Sequence, residues 1–342
     1  MAAKKIFKGH TDRILSLSYT PNGFEIATGS FDKTIKVWDL QTGKARLTLT
    51  GHTDAVWTLC ISPDGKTLAS GSGAWGGAGE VKLWDLATGR ERVHLQEFAD
   101  AVWSVAISPD GHVLATGSGN GSIDLWDLNT KQKTGSFRGH TNGVRFIVFA
   151  PDGLSLITGS AGGTLRVWNL ANRASLCSYR ADNVDIRSAA FSGDGRYLVT
   201  GGEDHTVRIW QPYAKQKIAS LKKHSAPVRG VAYSPDGSLV ASGGDDRVIR
   251  LWNVGMKDVQ AVLRGHTEAV GCVAFSPKGQ ELASASWDLT VRLWDVTEAL
   301  QTELDPAERV QQTAEPTQSI PDINLQSGTT AAAPQLRGKP PG

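Results

Sequence analysis

Seven tryptophans, Trp38, Trp84, Trp126, Trp168, Trp210, Trp252 and Trp294, recur at a step of 42 residues, lengthened to 46 only between the first two. Unrelated segments have no reason to share a length. The beat therefore marks a repeat of one supersecondary unit that cannot bury its apolar face without neighbours.

Other positions fall into register on the tryptophans. Gly-His or its counterpart opens each unit, with His10, His52, Phe98, His140, Asp182, His224 and His266 in the histidine slot. A turn tetrad follows: TPNG at 20–23, SPDG at 62–65 and 108–111, APDG at 150–153, SGDG at 192–195, SPDG at 234–237 and SPKG at 276–279. Proline presets φ for the first corner of such a turn, and glycine supplies the positive φ of the last. Apolar–polar alternation on either side, as in VWTLCIS (56–62) and IKVWDL (35–40), reads as strands. A further strand, such as ARLTLT (45–50), precedes the next Gly-His. Four short antiparallel strands per unit make one blade of an all-β, seven-bladed β-propeller. The last unit ends at RLWDV (292–296) without a fourth strand, while KKIFK (4–8) is spare at the start. Residues 4–8 are expected to complete blade 7, because an open ring would leave aggregation-prone edges.

The bulk properties agree with this reading and exclude others. A net charge of +2 over 342 residues offers no strongly basic face for nucleic acid. Cys60, Cys177 and Cys272 lie far apart and outside any CxxC spacing, as expected of small buried residues in a reducing, cytoplasmic setting. The start, MAAKKIFKGH, lacks the apolar core of a signal peptide, and no apolar run approaches membrane-spanning length.

The run from Gly51 to Leu86, GHTDAVWTLCISPDGKTLASGS…VKLWDL, resembles the WD-repeat β-propeller family, and the likeness spans residues 4 to 296 seven times over. Trp-Asp itself stands in four units, at Trp38, Trp84, Trp126 and Trp294. The resemblance implies a buried relay in which the blade Trp meets a hydroxyl, the hydroxyl meets the His, and the His meets an Asp. The hydroxyl is present throughout, as Thr28, Ser70, Thr116, Thr158, Thr200, Ser242 and Ser284. The acid slot holds Asp32, Asp204, Asp246 and Asp288, but Ala78, Asn120 and Gly162 in units 2, 3 and 4. On this reading only units 1, 6 and 7 hold the whole set, namely His10, Thr28, Asp32 and Trp38; His224, Ser242, Asp246 and Trp252; and His266, Ser284, Asp288 and Trp294. Those three units flank the closure, so the relays are expected to reinforce the seam, with units 2 to 5 opening more easily.

Recurrent Ser, His and Asp also suggest a catalytic triad, but a triad occurs once, in a cleft, and not at a fixed period with Trp attached. No catalytic residue, metal site or cofactor is assigned. Function is expected instead on one face. The resemblance places partners on the face that carries the loop before the first strand and the loop between the second and third. Positions three and five residues past the histidine slot, and the residue before the acid slot, belong to it. Five past the slot stand Leu15, Trp57, Trp103, Arg145, Arg187, Arg229 and Gly271; before the acid slot stand Phe31 and Trp287 among smaller or charged residues. The insertion in GSGAWGGAGE (71–80) adds Trp75. This gives an aromatic sector in units 7, 1, 2 and 3 and an arginine sector in units 4, 5 and 6, moderated by Asp185, Glu203 and Asp245. Aromatic and Arg side chains dominate binding hot spots. The expected partner is a protein or peptide with an apolar anchor and an acidic or phosphorylated part. The alternatives are nucleic-acid binding through the arginine sector and a hydrolase using the central funnel. Neither Trp-Asp-x-Arg nor Phe-Arg-Arg-Gly occurs, which disfavours ubiquitin-ligase-adaptor and phosphoinositide-binding roles.

From Thr297 to Gly342 the repeat stops. This stretch has six prolines and no aromatic residue, so it is expected to be a mostly disordered tail with a short helix in 297–305.

Overall fold

The computed structural model describes residues 2–181, 184–302 and Leu304, the side chain of Glu97 excepted. Within these residues every strand belongs to one of seven four-stranded antiparallel sheets. Six sheets are consecutive in sequence, spanning 14–49, 56–98, 102–137, 144–180, 186–222 and 228–264. The seventh runs in the order Lys5–Lys8, Thr290–Asp295, Glu281–Ser286, Val270–Phe275. The first strand of the chain thus pairs antiparallel with the last, Ile6 opposite Arg292 and Phe7 opposite Val291. The first strands of successive blades touch all the way round, Ile14–Tyr19 against Val270–Phe275 included.

The core lies between blades. Each blade tryptophan is buried against the preceding sheet: Trp84 packs with Ala27, Ile35, Val37 and Leu49 of blade 1. Trp38 packs with Phe7, Ala283 and Val291 of blade 7. The turn tetrads explain how the sheets come so close. Their glycines, Gly23, Gly65, Gly111, Gly153, Gly195, Gly237 and Gly279, all have φ between 70° and 77°. A side chain on Gly23 would in addition crowd Pro277 of the neighbouring turn, its Cβ 3.3 Å from the ring. Within the SPDG turns the serine donates to the aspartate, and its oxygen accepts the backbone N–H that restarts the next strand (Thr67 N to Ser62 Oγ, 2.9 Å). The motif therefore closes its own polar accounts.

A helix, Val296–Gln301, follows the last strand, with Asp295 accepting from Glu298 N at 3.0 Å as its N-cap. It begins one residue before the stretch in which a helix was expected. The tail from residue 305, and the disorder expected of it, lie outside the described residues. No helix among the described residues is long and apolar enough to cross a membrane.

Candidate functional site

In blade 1 Trp38 Nε1 donates to Thr28 Oγ1 (2.8 Å), His10 Nε2 meets the same oxygen (2.8 Å), and His10 Nδ1 meets Asp32 Oδ2 (2.7 Å). Blades 6 and 7 repeat this. Trp252, Ser242, His224 and Asp246 are linked in the one, and Trp294, Ser284, His266 and Asp288 in the other. All these groups sit inside the blade, so they are framework and not an exposed catalytic cluster.

Blade 2 corrects the sequence reading. Ala78 was placed in its acid slot, yet the relay is whole, because Glu80 Oε1 takes His52 Nδ1 at 2.8 Å while His52 Nε2 meets Ser70 at 2.6 Å. Glu80 stands four residues before its tryptophan, where blades 1 and 7 have Thr34 and Thr290. Those threonines, just before or at the start of the third strand, donate to the relay aspartate. The longer glutamate side chain reaches the histidine directly from there. Its second oxygen takes His94 Nε2 at 2.6 Å. Complete relays therefore occupy four consecutive blades, 6, 7, 1 and 2, not three.

Burial by itself would raise the Glu80 carboxyl, but the hydrogen bonds from His52, the Thr53 N–H and His94 outweigh it and hold the group at about 2, against an ordinary 4.5. The folded value lies below the unfolded one, so this contribution to stability is complete above pH 4.5 and fades as the pH falls toward 2. Glu80→Gln is expected to flatten that limb of a plot of urea-unfolding free energy against pH; an unchanged slope would contradict it.

Blades 3 and 4 are poorer. Phe98 fills the histidine slot of blade 3 and packs on Trp126 at 5.6 Å. In blade 4 His140 Nε2 meets Thr158 (2.7 Å), but its buried Nδ1 has no hydrogen-bond partner among the described residues. Burial, then the charge of Arg166, lowers the His140 pKa to about 4. With each net hydrogen bond contributing about 1 kcal/mol, amides of blades 3 and 4 are expected to exchange with deuterium faster than those of blades 1, 2, 6 and 7. Uniform protection would refute this. In blade 5 Trp210 donates to Thr200 at 2.9 Å, and Asp204 pairs with Arg208. Asp182, its counterpart to the histidine, lies outside the described residues.

The seven positions five residues past the histidine slot share one local feature. In every blade the pairing of first and second strands shifts register there, leaving Leu15, Trp57, Trp103, Arg145, Arg187, Arg229 and Gly271 out of the ladder. A β-bulge re-aims the side chain it carries. The backbone thus turns seven side chains, one per blade, away from the ordinary strand alternation at the entry end.

These side chains meet one another and their neighbours. Phe31 and Trp57 lie edge to face at 5.2 Å, and Trp57 Nε1 donates to Gly73 O at 2.8 Å. Trp75, 69% exposed, lies 4.8 Å from Trp103. Arg145 covers Trp103 at 4.3 Å and Trp75 at 5.5 Å, while Arg229 covers Trp287 at 4.3 Å. The aromatic and arginine groups therefore touch where blade 3 meets blade 4 and where blade 6 meets blade 7. Each expected arginine also holds an acid: Arg145 with Asp185 (3.1 Å), Arg187 with Glu203, and Arg229 with Asp245 (2.7 Å).

Two residues of this face escaped the sequence reading. Arg13, three past His10, lies 4.7 Å from the Trp287 ring centre and 5.9 Å from that of Phe31. Its position was recognised as part of the rim, and its charge was the overlooked signal. Gly143 is the other. A Cβ there would fall 2.1 Å from Trp103 Cζ3, so only glycine lets the indole lie down across blade 4. Among the described residues no group of three or more His, Cys, Asp or Glu is placed to hold a metal ion.

The sequence model described as WD domain, G-beta repeat matches residues 2–39, 43–85, 91–127, 131–169, 174–211, 215–253 and 257–295. Relatives match over single repeats. The probable E3 ubiquitin ligase complex SCF subunit sconB of Talaromyces marneffei is 50% identical over 46 residues, 14% of this chain and 7% of that protein. The pre-mRNA-splicing factor PRP46 of Yarrowia lipolytica is 51% identical over 45 residues, 13% of this chain and 10% of its own. The ribosome biogenesis protein BOP1 homolog of Drosophila virilis is 43% identical over 44 residues, 13% and 6% respectively. The chain thus spans a tenth or less of each relative's length. Seven matches that cover nearly all of residues 2–295, on seven four-stranded blades, make this chain a member of the WD-repeat family.

Proposed function

We propose that the protein is a non-catalytic docking scaffold that holds a protein or peptide segment on the face built by its seven bulged residues. The observation that carries this reading is the concentration of five aromatic residues beside arginines at one end of the strands, Trp57 and Trp103 at bulges and Phe31, Trp75 and Trp287 in the loops between second and third strands. Packing of the repeat does not require them, since the other blades do without. The sconB relative is named as a subunit of a complex, which accords with a propeller that joins other proteins. The partner segment offers an apolar anchor to the indoles and an acidic group to a guanidinium of the same face. Three free thiols, with Cys60 and Cys272 pushed up to about 12 and about 11 by burial, suit a reducing compartment such as the cytoplasm.

Engagement of Arg145, Arg187 and Arg229 by acids disfavours the nucleic-acid alternative, which needs unneutralised cations along a backbone. Partners captured by the full chain and quantified by mass spectrometry should fall away for Trp57→Ala and Trp75→Ala. They should persist for Phe24→Ser, which alters an exposed residue at the other end of the strands. The same partners at the same yield from all three variants would end the proposal.

A further inference from the structure

We infer that Arg13 is the residue of this face that reads a carboxylate, from an Asp or Glu side chain flanked by an apolar residue in the bound segment. This rests on the docking function proposed above and names the chemistry of its occupant.

Arginines occupy four of the positions three and five residues past the histidine slot, and they are not equivalent. Arg145, Arg187 and Arg229 are each half-buried and each paired with an acid. Arg13 is exposed, and among the described residues its guanidinium has no carboxylate partner. Its neighbour Asp12 is occupied otherwise, accepting the Arg13 backbone N–H at 2.7 Å. The guanidinium lies instead between two rings, 4.7 Å from Trp287 and 5.9 Å from Phe31. Its backbone is fixed as well, since Arg13 O accepts from Phe31 N at 2.9 Å. A guanidinium held over aromatic faces is already partly ordered, so less freedom is lost when its N–H groups form a bidentate pair.

The surroundings select the ligand. The bulge positions of blades 7 and 1 carry Gly271 and Leu15, which are uncharged and the smallest of the seven. The rings of Trp287 and Phe31, with Trp57 5.2 Å beyond Phe31, offer apolar surface beside the cation. Among these four, the one guanidinium not shared with an acid matches one carboxylate charge. A phosphate, carrying nearly two, is ordinarily met by a cluster of arginines, and the other three are already engaged.

The test pans a library of short random peptides against the immobilised full chain and against Arg13→Ala, Arg13→Lys and Arg196→Ala, the last an exposed arginine at the other end of the strands. Urea-unfolding midpoints establish that each variant is folded. Peptides recovered by the unaltered chain should be enriched in Asp or Glu next to an aromatic or aliphatic residue. Replacing that acid by its amide in a synthetic peptide should weaken binding about ten-fold or more. Arg13→Ala should bind acid and amide forms alike, Arg13→Lys should retain a reduced preference, and Arg196→Ala should keep the full preference. An acid preference that survives Arg13→Ala, or recovered peptides without one, would overturn the assignment. So would a phosphoserine peptide that binds far more tightly than its Glu counterpart. Those results leave docking itself intact, whereas recovery of no peptide by the unaltered chain would remove both.

Discussion

A chain that lacks residues 1–8 is expected not to form a cooperatively folded monomer. Those residues supply the outer strand of blade 7, with Lys5, Ile6, Phe7 and Lys8 paired to Leu293, Arg292, Val291 and Thr290. Their loss would bare the edge of Thr290–Asp295 to other chains. It would also empty a core position, because Phe7 is 1% exposed and lies 5.7 Å from Trp38 of the adjoining blade. Phe7→Ala alone removes a buried aromatic ring, at a cost of about 3–5 kcal/mol. Whole domains have only about 5–15 kcal/mol in hand. Size-exclusion chromatography of the truncated chain should show association or poor recovery, and Phe7→Ala should lower the urea midpoint by about 1 M or more. A truncated monomer that melts like the intact chain would show that the seam contributes little.

Trp75→Ala is expected to weaken partner binding about 30-fold or more, the scale of a hot-spot truncation, while shifting stability by no more than about 0.5 kcal/mol. The indole is largely exposed and lies tilted against Trp103, so its removal leaves no cavity in the core. Trp57→Ala should weaken binding comparably, since its ring is held ready by Gly73 O and by Phe31. Arg145→Glu is a poorer probe than the sequence suggests. It would set a carboxylate beside Asp185 and unseat the ring of Trp103, so lost binding would not be separable from lost order. Calorimetric titration of a captured partner, alongside thermal melts of each variant, separates the two effects. Unchanged affinity in both tryptophan variants would move the binding site off this face.

What the sequence reveals here is set by how local each feature is. The tryptophan period, the turn glycines with positive φ and the relay hydroxyls recur at fixed offsets within one unit, so a single chain suffices to find them. Glu80 is different. The insertion lengthens the second and third strands of blade 2 to pair Ser72 with Glu80 and Gly73 with Gly79. The acid therefore arrives from a threonine position and not from the slot at Ala78. The pairing of Arg145 with Asp185 spans 40 residues and two blades, and depends on how closely the ring brings blades 4 and 5 together. The bed that Gly143 makes for Trp103 is likewise an encounter between blades. Arg13 was legible as a rim position, but its freedom from acids follows only from knowing where each neighbouring carboxylate is spent.

The register shift that recurs in every first strand has a consequence for how such a molecule changes over time. A side chain excused from the ladder can be exchanged without mending a sheet, so Leu15, Gly271 and their five counterparts form an alphabet of interchangeable letters on a fixed wheel. New recognition can then be written one letter at a time wherever the letter replaced does not, like Arg145, brace a neighbour.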